Sequence, residues 1–201
     1  MAIIRAAVEA DIPQIHAIYA HYVLHSVLTF RENVPPLTET RDKLAGIKSR
    51  KLPFLVAVDQ KDESSDVSDK VLGYACASPF RGHMLSYAST VELSLFLDPE
   101  YRARGLGTML ISAIIEELKH TRHLVGECIG DPEHQVLAEG GAGTRVRHLL
   151  AVMALDTKGK DAGEGLRNWY VKRGFVERGR MSQIGFKDGR WYVCLSCWFL
   201  F

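Results

Sequence analysis

The sequence predicts an α+β protein built on a mixed, mostly antiparallel sheet. Three observations carry this prediction: the chain opens with a short strand and a helix, apolar runs of strand length alternate with segments of helical periodicity through its middle, and two strands close it. The chain has 201 residues, 47% of them apolar, which is enough for a domain with a sizeable core. We therefore expect a single domain over residues 1–201.

The first half of the chain predicts three strands and two helices. Strand or helix periodicity identifies each element, and acidic, proline and turn residues mark its ends. Residues 60–70, QKDESSDVSDK, are polar and rich in turn formers, so we expect a hairpin with a lengthened loop there. The elements are a strand at Ala2–Arg5, helices at Asp11–Leu24 and Thr38–Lys48, and strands at Pro53–Asp59 and Val71–Phe80.

The second half predicts further strands and helices around one irregular segment. Residues 121–148, after the third helix, contain five glycines and no sustained period, so we expect a surface insertion. Three roles stay open for it: it can reinforce a dimer, cover an active site, or have no role. The elements are a strand at Thr90–Leu97, a helix from Gly105 to Leu118, a strand at Leu149–Leu155, a helix at Glu164–Phe175 that ends at Gly174, and two final strands, the last at about Trp191–Phe199.

Charge and apolar run lengths exclude several function classes. Lys and Arg number 25 and Asp and Glu 24, so nothing in the net charge of +1 indicates nucleic acid or an anionic membrane as the main partner. No segment reaches the run of about 18 apolar residues that a membrane span needs, and the start lacks the pattern of a signal peptide. We expect a cytoplasmic protein.

The cysteine and histidine residues do not predict a metal or redox site. The four cysteines are too few for a disulfide scaffold in a chain of this length, and they lack clustered histidine ligands. Cys194 and Cys197 match C-x-x-C, but they lie in an apolar strand, where residues three apart point to opposite faces. The eight histidines have no cysteine or carboxylate at metal-ligand spacing. We expect reduced thiols and no metal.

The segment DPEYRARGLGT (Asp98–Thr108) joins an apolar strand to an amphipathic helix. A helix N-terminus attracts anions, because its first amide groups lack intrahelical partners and lie at the positive end of the helix dipole. Gly105 and Gly107 let a phosphate approach the backbone, and Arg102 and Arg104 can add charge-assisted hydrogen bonds. The segment therefore predicts a pyrophosphate cradle, with a capped helix and solvated arginines as the alternative.

Two common phosphate loops do not fit this segment. A Walker A loop needs Gly-Lys-Ser/Thr, and a dinucleotide fingerprint needs a third glycine where this chain has Leu110. The pattern Arg102-x-x-Gly105-x-Gly107 instead resembles the acetyl-CoA pyrophosphate loop, Q/R-x-x-G-x-G/A, of the GCN5-related N-acetyltransferase (GNAT) superfamily.

Within that superfamily, the chain most resembles the phosphinothricin and methionine sulfoximine acetyltransferases. The resemblance covers most of the chain, apart from residues 60–70 and 121–148, and implies the GNAT fold, acetyl-CoA as co-substrate and a homodimer. The stretches that carry it are IRAAVEADIPQIHAIY (Ile4–Tyr19), VLGYACASPFR (Val71–Arg81), TVELSLFLDPEYRARGLG (Thr90–Gly107), and YVKRGFVERGRM with FKDGRWYV (Tyr170–Val193).

The resemblance implies that acetyl-CoA lies along the fourth strand and in the loop after it. The pantetheine arm would pair with the main chain of Leu95 and Leu97, and a backbone N–H near Leu95 would polarise the thioester carbonyl. The residues implied in cofactor binding are Leu95, Phe96, Leu97, Arg102, Ala103, Arg104, Gly105, Leu106, Gly107 and Thr108.

Glu92 is the only carboxylate in the apolar run TVELSLFL (Thr90–Leu97). A charge inside a strand is costly unless it is exposed, paired or used in function. The residue matches the glutamate of the family's T-V-E pattern, and the resemblance implies that it accepts the amine proton, directly or through water. The alternative is an edge-facing or salt-bridged glutamate.

Tyr170 lies in the pattern Tyr-x-x-x-Gly-Phe (Tyr170–Phe175), where the resemblance implies a hydroxyl beside the CoA sulfur. A phenol of pKa about 10 protonates a thiolate of pKa about 8.5 only with help from geometry. The alternative is a packed aromatic ring beside Trp169.

The substrate residues are implied by local patterns around two loops. An amino-acid substrate has a carboxylate, so an arginine near the amine site is expected. Arg81, in PFRGHMLSY, matches the first arginine of the subfamily's F-R-x-R loop. Phe30 and Glu32 match the aromatic and acidic residues after the first helix.

Two departures from the subfamily bear on the substrate and on the CoA contacts. The second arginine of the loop is missing, with His83 or Met84 near its place, and Gly163 stands where the family has an asparagine upstream of Tyr170. We expect an acetyl-CoA-dependent N-acetyltransferase acting on the amino group of a small molecule, an amino acid or an analogue such as phosphinothricin or methionine sulfoximine. The alternatives are an enzyme that acetylates a peptide, protein or polyamine, and an acetyl-CoA-binding module that has lost turnover.

Overall fold

A computed structural model of the chain describes residues 2–59, 69–82, 84–128, 135–137, 142–158 and 160–201. Within these residues the helices are α1 (Ile12–His25), α2 (Leu37–Ser49), α3 (Leu106–His120) and α4 (Glu164–Val171). The strands are β1 (Ala2–Ala6), β2 (Phe54–Asp59), β3 (Lys70–Pro79), β4 (Thr90–Leu97), β5 (Arg122–His123), β6 (Gly126–Cys128), β7 (Gln135–Leu137), β8 (Thr144–Arg145), β9 (His148–Ala154), β10 (Val176–Lys187) and β11 (Arg190–Leu200).

Seven of these strands form the central sheet, in the order β1-β2-β3-β4-β9-β11-β10. Every neighbouring pair is antiparallel except β4 and β9, which run parallel. The strands β5 with β8, and β6 with β7, form two separate antiparallel pairs. The prediction of an α+β fold on a mixed, mostly antiparallel sheet is confirmed.

The strand β4 has one fully paired edge and one edge that is open beyond its first residues. It pairs with β3 from Val91 to Leu97, but with β9 only from Thr90 to Glu92. The next strand, β9, continues beside β11 as far as Ala154. The strands β4 and β9 therefore diverge after Glu92, and we call the gap between their diverging ends the wedge.

Helices pack on both faces of the sheet. The helix α1 contacts β3 and β4, α2 contacts β2 and β3, and α3 contacts β1 to β4. Because side chains alternate along a strand, Phe96 and Leu97 point to opposite faces. The ring of Phe96 lies 5.5 Å from that of Tyr19 on α1, whereas Leu97 lies against Gly107 at the start of α3. Fully buried side chains on both faces make up the core, among them Val56, Ala75, Leu110 and Ile114.

The segment after α1 is held in place by the C-terminal hairpin of β10 and β11. Lys187 in β10 is only 3% exposed, and its ammonium donates to the carbonyls of Val23 (2.7 Å), Ser26 (2.8 Å) and Thr29 (2.9 Å). A cation suits this place, because the last carbonyls of a helix lie at the negative end of its dipole. The buried lysine therefore fixes the path of residues 26–29.

The predicted elements are confirmed, with ends that differ by a few residues. The strand Thr90–Leu97 agrees at both ends. The helix predicted at Glu164–Phe175 ends earlier, at Val171, because the chain turns before Gly174, which has a left-handed φ of +88°. No helix in the described part of the chain is long and apolar enough to cross a membrane.

The boundaries predicted for the surface insertion at residues 121–148 were too wide. His123, Val125, Thr144 and Val146 are buried, and β5 pairs with β8. Both ends of the segment thus pack into the fold, and only burial against distant residues reveals this. Of the loop predicted at residues 60–70, all but the last two residues lie outside the described part of the chain.

Candidate active site

A cavity of about 590 Å³ occupies the wedge between β4 and β9. Its walls come from α1 and the segment after it, from Lys43 of α2, from β4, from the loop Arg102–Thr108, from α4, and from Val152 and Met153 of β9. Glu92 and Tyr170 both line it. The structure thus brings the two sequence-predicted catalytic side chains into one cavity with the predicted phosphate loop.

The loop between β4 and α3 has a backbone geometry that suits an anion. The Asp98 carboxylate accepts a hydrogen bond from the amide of Glu100 (3.0 Å) and so starts the turn. Ala103 and Gly105 have left-handed φ angles of +61° and +80°, and α3 begins at the next residue, Leu106. For alanine this conformation costs about 1–2 kcal/mol, and such strain concentrates at binding sites. The amides of Leu106 and Gly107, at the start of α3, have no intrahelical acceptor and are available to an anion, whereas the Thr108 amide already donates to the Gly105 carbonyl at 3.0 Å.

The two loop arginines take different positions. The guanidinium of Arg102 lies 5.3 Å from the centre of the Tyr22 ring, and Arg102 lines the cavity. The guanidinium of Arg104 lies 4.6 Å from the centre of the Tyr101 ring, and Arg104 is the one residue of the loop Arg102–Thr108 that does not line the cavity. The left-handed residue between the two arginines turns the chain, which directs them to different sides.

The open edge of β4 presents main-chain groups to the wedge. The carbonyl of Thr90 accepts from Phe80, and the amide of Asp98 donates to Leu72, so even-numbered residues of this strand pair toward β3. The main-chain groups of Leu93, Leu95 and Leu97 therefore face away from β3. One of them is already engaged, because the Tyr22 hydroxyl donates to the Leu97 carbonyl at 2.7 Å. The Leu95 amide thus faces the wedge, as a donor to the acetyl carbonyl would have to do.

Glu92 is a half-buried carboxylate on the wall of the cavity. Burial raises the pKa of its carboxyl above the ordinary glutamate value, and the positive charge of Lys43 offsets part of this rise. Its carboxylate makes no hydrogen bond or ion pair with another of the described residues, so the salt-bridged alternative is not what the structure holds. A carboxylate with a raised pKa accepts a proton more readily near neutral pH than an ordinary one.

Tyr170 lies at the end of the cavity formed by α4 and is 7% exposed. Its ring packs against Trp169 and Phe175, with centroids 4.9 Å and 5.1 Å away. Burial, and to a smaller degree the Cys197 thiol, raise the pKa of its hydroxyl well above the ordinary tyrosine value. The packed-ring alternative and the cavity position are therefore both observed. The raised pKa makes full proton transfer harder but leaves the hydroxyl able to donate a hydrogen bond.

Comparison with known proteins identifies the family. Residues 20–134 match the model of the acetyltransferase (GNAT) family. This chain belongs to the GNAT acetyltransferases. It is therefore an acetyltransferase, and acetyl-CoA is the acetyl donor of this family.

Two relatives and one solved structure show which acetyltransferases of this family the chain is similar to. A phosphinothricin N-acetyltransferase of Alcaligenes faecalis is 31% identical over 188 residues, which cover 94% of this chain and 77% of that protein. An L-methionine sulfoximine/L-methionine sulfone acetyltransferase of Pseudomonas aeruginosa is 30% identical over 191 residues, covering 94% and 88%. The crystal structure of a phosphinothricin acetyltransferase from Sinorhizobium meliloti in complex with AcCoA matches with a TM-score of 0.75 at 28% identity, covering 99% of this chain and 88% of that one.

The residues of the wedge fit acetyl-CoA. The left-handed loop, the free amides of α3 and the Arg102 guanidinium suit a pyrophosphate, and the unpaired edge of β4 suits an arm that carries amide groups. In the described part of the chain, no group of three or more His, Cys, Asp or Glu side chains is arranged to hold a metal ion.

A cationic residue beside the loop, Arg173, was not predicted from the sequence. Arg173 donates to the Trp169 carbonyl at 2.8 Å and to the Thr108 hydroxyl, and its guanidinium lies 3.8 Å from the centre of the Trp169 ring. Trp169 in turn packs close to Gly107, where an added Cβ would lie 3.3 Å from the indole. The two residues thus join α4 to the first turn of α3. The only signal in the sequence was that Trp169 and Arg173 lie within three positions of the predicted catalytic residue Tyr170.

The three predicted substrate residues do not line the cavity. The ring of Phe30 lies over Gly185, 6.1 Å from the Tyr192 ring of the C-terminal hairpin. Glu32 is exposed, and Arg81 is exposed in the turn after β3, with its guanidinium 5.5 Å from the centre of the Phe80 ring. Phe30 packs against the hairpin, Arg81 lies in its own turn and Glu32 is exposed, so the predicted substrate set is not assembled at this cavity.

A different pair of polar residues stands beside Glu92. Lys43 of α2 donates from its ammonium to the Ser94 hydroxyl at 3.3 Å, and both residues line the cavity. Ser94 is two residues from Glu92 on β4, so their side chains share one face of the sheet. No periodicity or motif pointed to Lys43, because the helix that carries it meets β4 only in the folded chain.

Proposed function

We propose that this GNAT protein transfers the acetyl group of acetyl-CoA to the amino group of an amino acid or a close analogue, such as phosphinothricin or methionine sulfoximine. The observation that carries the proposal is Glu92, a half-buried carboxylate without a partner among the described residues, which opens into the same cavity as the phosphate loop. Relatives at about 30% identity named for such substrates support the choice of amine.

In this proposal, acetyl-CoA supplies an activated acetyl thioester. Arg102 and the residues from Ala103 to Thr108 that line the cavity bind its pyrophosphate, and the open edge of β4 from Leu95 to Leu97 lies along its pantetheine arm. The Leu95 amide donates a hydrogen bond to the acetyl carbonyl. Because this donor is part of a strand, it is already oriented before the acetyl group arrives.

Glu92 is the proposed general base. As the amine nitrogen bonds to the acetyl carbon, its proton passes to the Glu92 carboxylate, directly or through a water. The carbon–sulfur bond breaks, and the sulfur leaves with the electron pair. The raised pKa of Glu92 supports this role, because a base is effective when its pKa lies closer to the working pH.

Tyr170 is the proposed donor to the leaving sulfur. Its hydroxyl stabilises the departing thiolate by a hydrogen bond, and solvent can supply the proton at the end. This division of labour follows from the raised pKa of Tyr170, which disfavours a charged phenolate in the buried site.

We further propose a homodimer in the cytoplasm, with residues 1–201 acting as one domain. Exposed apolar side chains on the C-terminal hairpin support an interface there, since solvated surfaces rarely carry such a group. They are Ile184 (53% exposed), Phe186 (50%) and Trp191 (59%). Light scattering of the purified protein measures its mass, and a monomer at micromolar concentration would contradict the dimer.

The function is tested by release of the CoA thiol from acetyl-CoA. The panel contains methionine sulfoximine, methionine sulfone, phosphinothricin, ordinary amino acids, polyamines and a peptide with a free N-terminus. Turnover concentrated on amino acids or their analogues is the expected result. Turnover confined to polyamines or the peptide would refute the substrate class, and acetyl-CoA binding with no turnover on any amine would refute the enzyme.

A further inference from the structure

The face of β4 that carries the proposed base also carries a cation. Lys43 reaches this face from α2 and donates to Ser94 at 3.3 Å, and Glu92 lies two residues before Ser94 on the strand. All three side chains line the wedge cavity. An ammonium, a hydroxyl and a carboxylate are therefore presented to whatever molecule enters on this side of β4.

Lys43 and Glu92 do not form an ion pair. The ammonium bonds the Ser94 hydroxyl instead, although its charge is near enough to act on the Glu92 carboxyl. A direct ion pair would neutralise both groups and close the space between them. The observed arrangement leaves the Lys43 ammonium and the Glu92 carboxylate unpaired with each other on the wall of one cavity, where both can meet a substrate.

The other cations near the proposed amine site are assigned to the phosphate loop, paired with a carboxylate, or located outside the cavity. Among the described residues that line the cavity, the cations are Lys43 and Arg102, and Arg102 belongs to the phosphate loop. Arg31 is ion-paired with Glu39, and Arg81 does not line the cavity. Of the described residues that line the cavity, Lys43 is therefore the cation that a substrate anion beside Glu92 would meet.

We propose that the Lys43 ammonium, assisted by the Ser94 hydroxyl, binds the carboxylate of an amino-acid substrate whose amine faces Glu92. The proposal rests on the function proposed above and assigns the residue that selects an amino acid over a plain amine. Two strand residues span about 7 Å, a short distance that matches an amine and a carboxylate on the same carbon. An ammonium is a strong partner for a carboxylate, because both groups of the hydrogen bond are charged.

Space for the substrate side chain lies next to Lys43. A second cavity of about 160 Å³ shares Tyr19 and Lys43 with the first one. Ile15, Phe54 and Tyr74 give it apolar contact, and polar residues, among them Thr40 and the Arg31–Glu39 ion pair, complete its lining. A substrate held by its carboxylate at Lys43 can therefore extend a modest side chain into this second cavity.

The test compares two substrates that differ in one charge, L-methionine sulfone and its primary amide. Wild type, Lys43→Met, Lys43→Arg and the control Lys48→Met are assayed, and each variant is compared with wild type on the same substrate, which cancels the difference in amine basicity. Lys48 is an exposed lysine near the end of the same helix and outside the lining of both cavities. The assays run at a pH above the acid limb of the rate profile, so that a changed Glu92 pKa does not contribute.

We expect Lys43→Met to raise KM for the acid by about 10–100-fold, as for loss of one charged hydrogen bond, and to change kcat/KM for the amide less than about threefold. Lys43→Arg should restore most of the affinity for the acid, and Lys48→Met should match wild type. Equal losses on acid and amide, or no loss on either, would overturn the assignment of Lys43 while leaving the proposed function intact. Absence of wild-type turnover on both substrates, with turnover only of polyamines or peptides, would overturn the proposed function together with this assignment.

Discussion

Gly105 and Gly189 share a left-handed backbone conformation, so alanine at either position should cost similar stability, and the pair can separate an effect on binding from an effect on stability. Gly105 has φ +80° and Gly189 has φ +75°, and a Cβ added at either one would meet no atom within 4 Å. Alanine at either position must adopt a left-handed conformation, which costs about 1–2 kcal/mol. For a chain of this size, 1 kcal/mol lowers Tm by about 2–4 °C, so each variant should melt about 2–8 °C below wild type.

Only one of the two glycines lies at the proposed phosphate site. Gly105 lines the cavity and precedes α3, whereas Gly189 lies in the turn between β10 and β11. A methyl group at Gly105 should keep a phosphate from the first amides of the helix and remove at least one charge-assisted hydrogen bond, worth about 1.5–3 kcal/mol. We therefore expect Gly105→Ala to raise KM for acetyl-CoA by about 10–100-fold, with Gly189→Ala close to wild type.

The assay pairs thermal unfolding with thiol-release kinetics at varied acetyl-CoA. Equal KM values for the two variants would refute the placement of the pyrophosphate at Gly105. A Gly105→Ala protein that is far less stable than Gly189→Ala would also refute the reasoning, because the backbone strain would then not be the shared cost.

Two further substitutions probe the donor to the sulfur and the buried lysine. Tyr170→Phe should lower kcat by about 10–100-fold with little change in KM for acetyl-CoA, because a hydrogen bond made only to the leaving group is lost. An unchanged kcat in steady-state assays would show that Tyr170 serves only in packing. Lys187→Met removes three hydrogen bonds from a side chain that is 3% exposed. It should lower the free energy of unfolding, measured by urea denaturation, by about 2–5 kcal/mol and raise KM for the amine. A variant as stable as wild type would show that water replaces the ammonium.

The framework of the site could be predicted from local sequence. Periodicity located β4 to the residue, and glycines with arginines located the phosphate loop, since such signals arise from neighbouring residues. The lone carboxylate in an apolar strand marked Glu92. Each of these signals lies within about ten residues of the feature that it predicts, which is the range over which helix and strand patterns operate.

The residues around the proposed amine site could not be predicted from local sequence patterns. Lys43 and Ser94 are separated by 51 positions, and Lys187 and Val23 by 164. No local pattern encodes such contacts, because they depend on how helices and hairpins pack. The same kind of packing places Phe30, which matches the subfamily's stretch after the first helix but lies against Gly185 and Tyr192 of the C-terminal hairpin.

The role of Glu92 is tested most directly by the pH dependence of product formation. Mass spectrometry counts the N-acetylated amino acid formed by wild type and by Glu92→Gln from acid to mildly alkaline pH. Because burial raises the pKa of Glu92, wild-type kcat/KM, calculated on the concentration of unprotonated amine so that titration of the substrate cancels, should fall as pH drops through a value above the ordinary glutamate pKa of about 4.3. Glu92→Gln should be slower by about 10²–10⁴-fold and should lack this acid limb. A variant with wild-type rates and the same acid limb would contradict the account, because the proton would then be taken by another group.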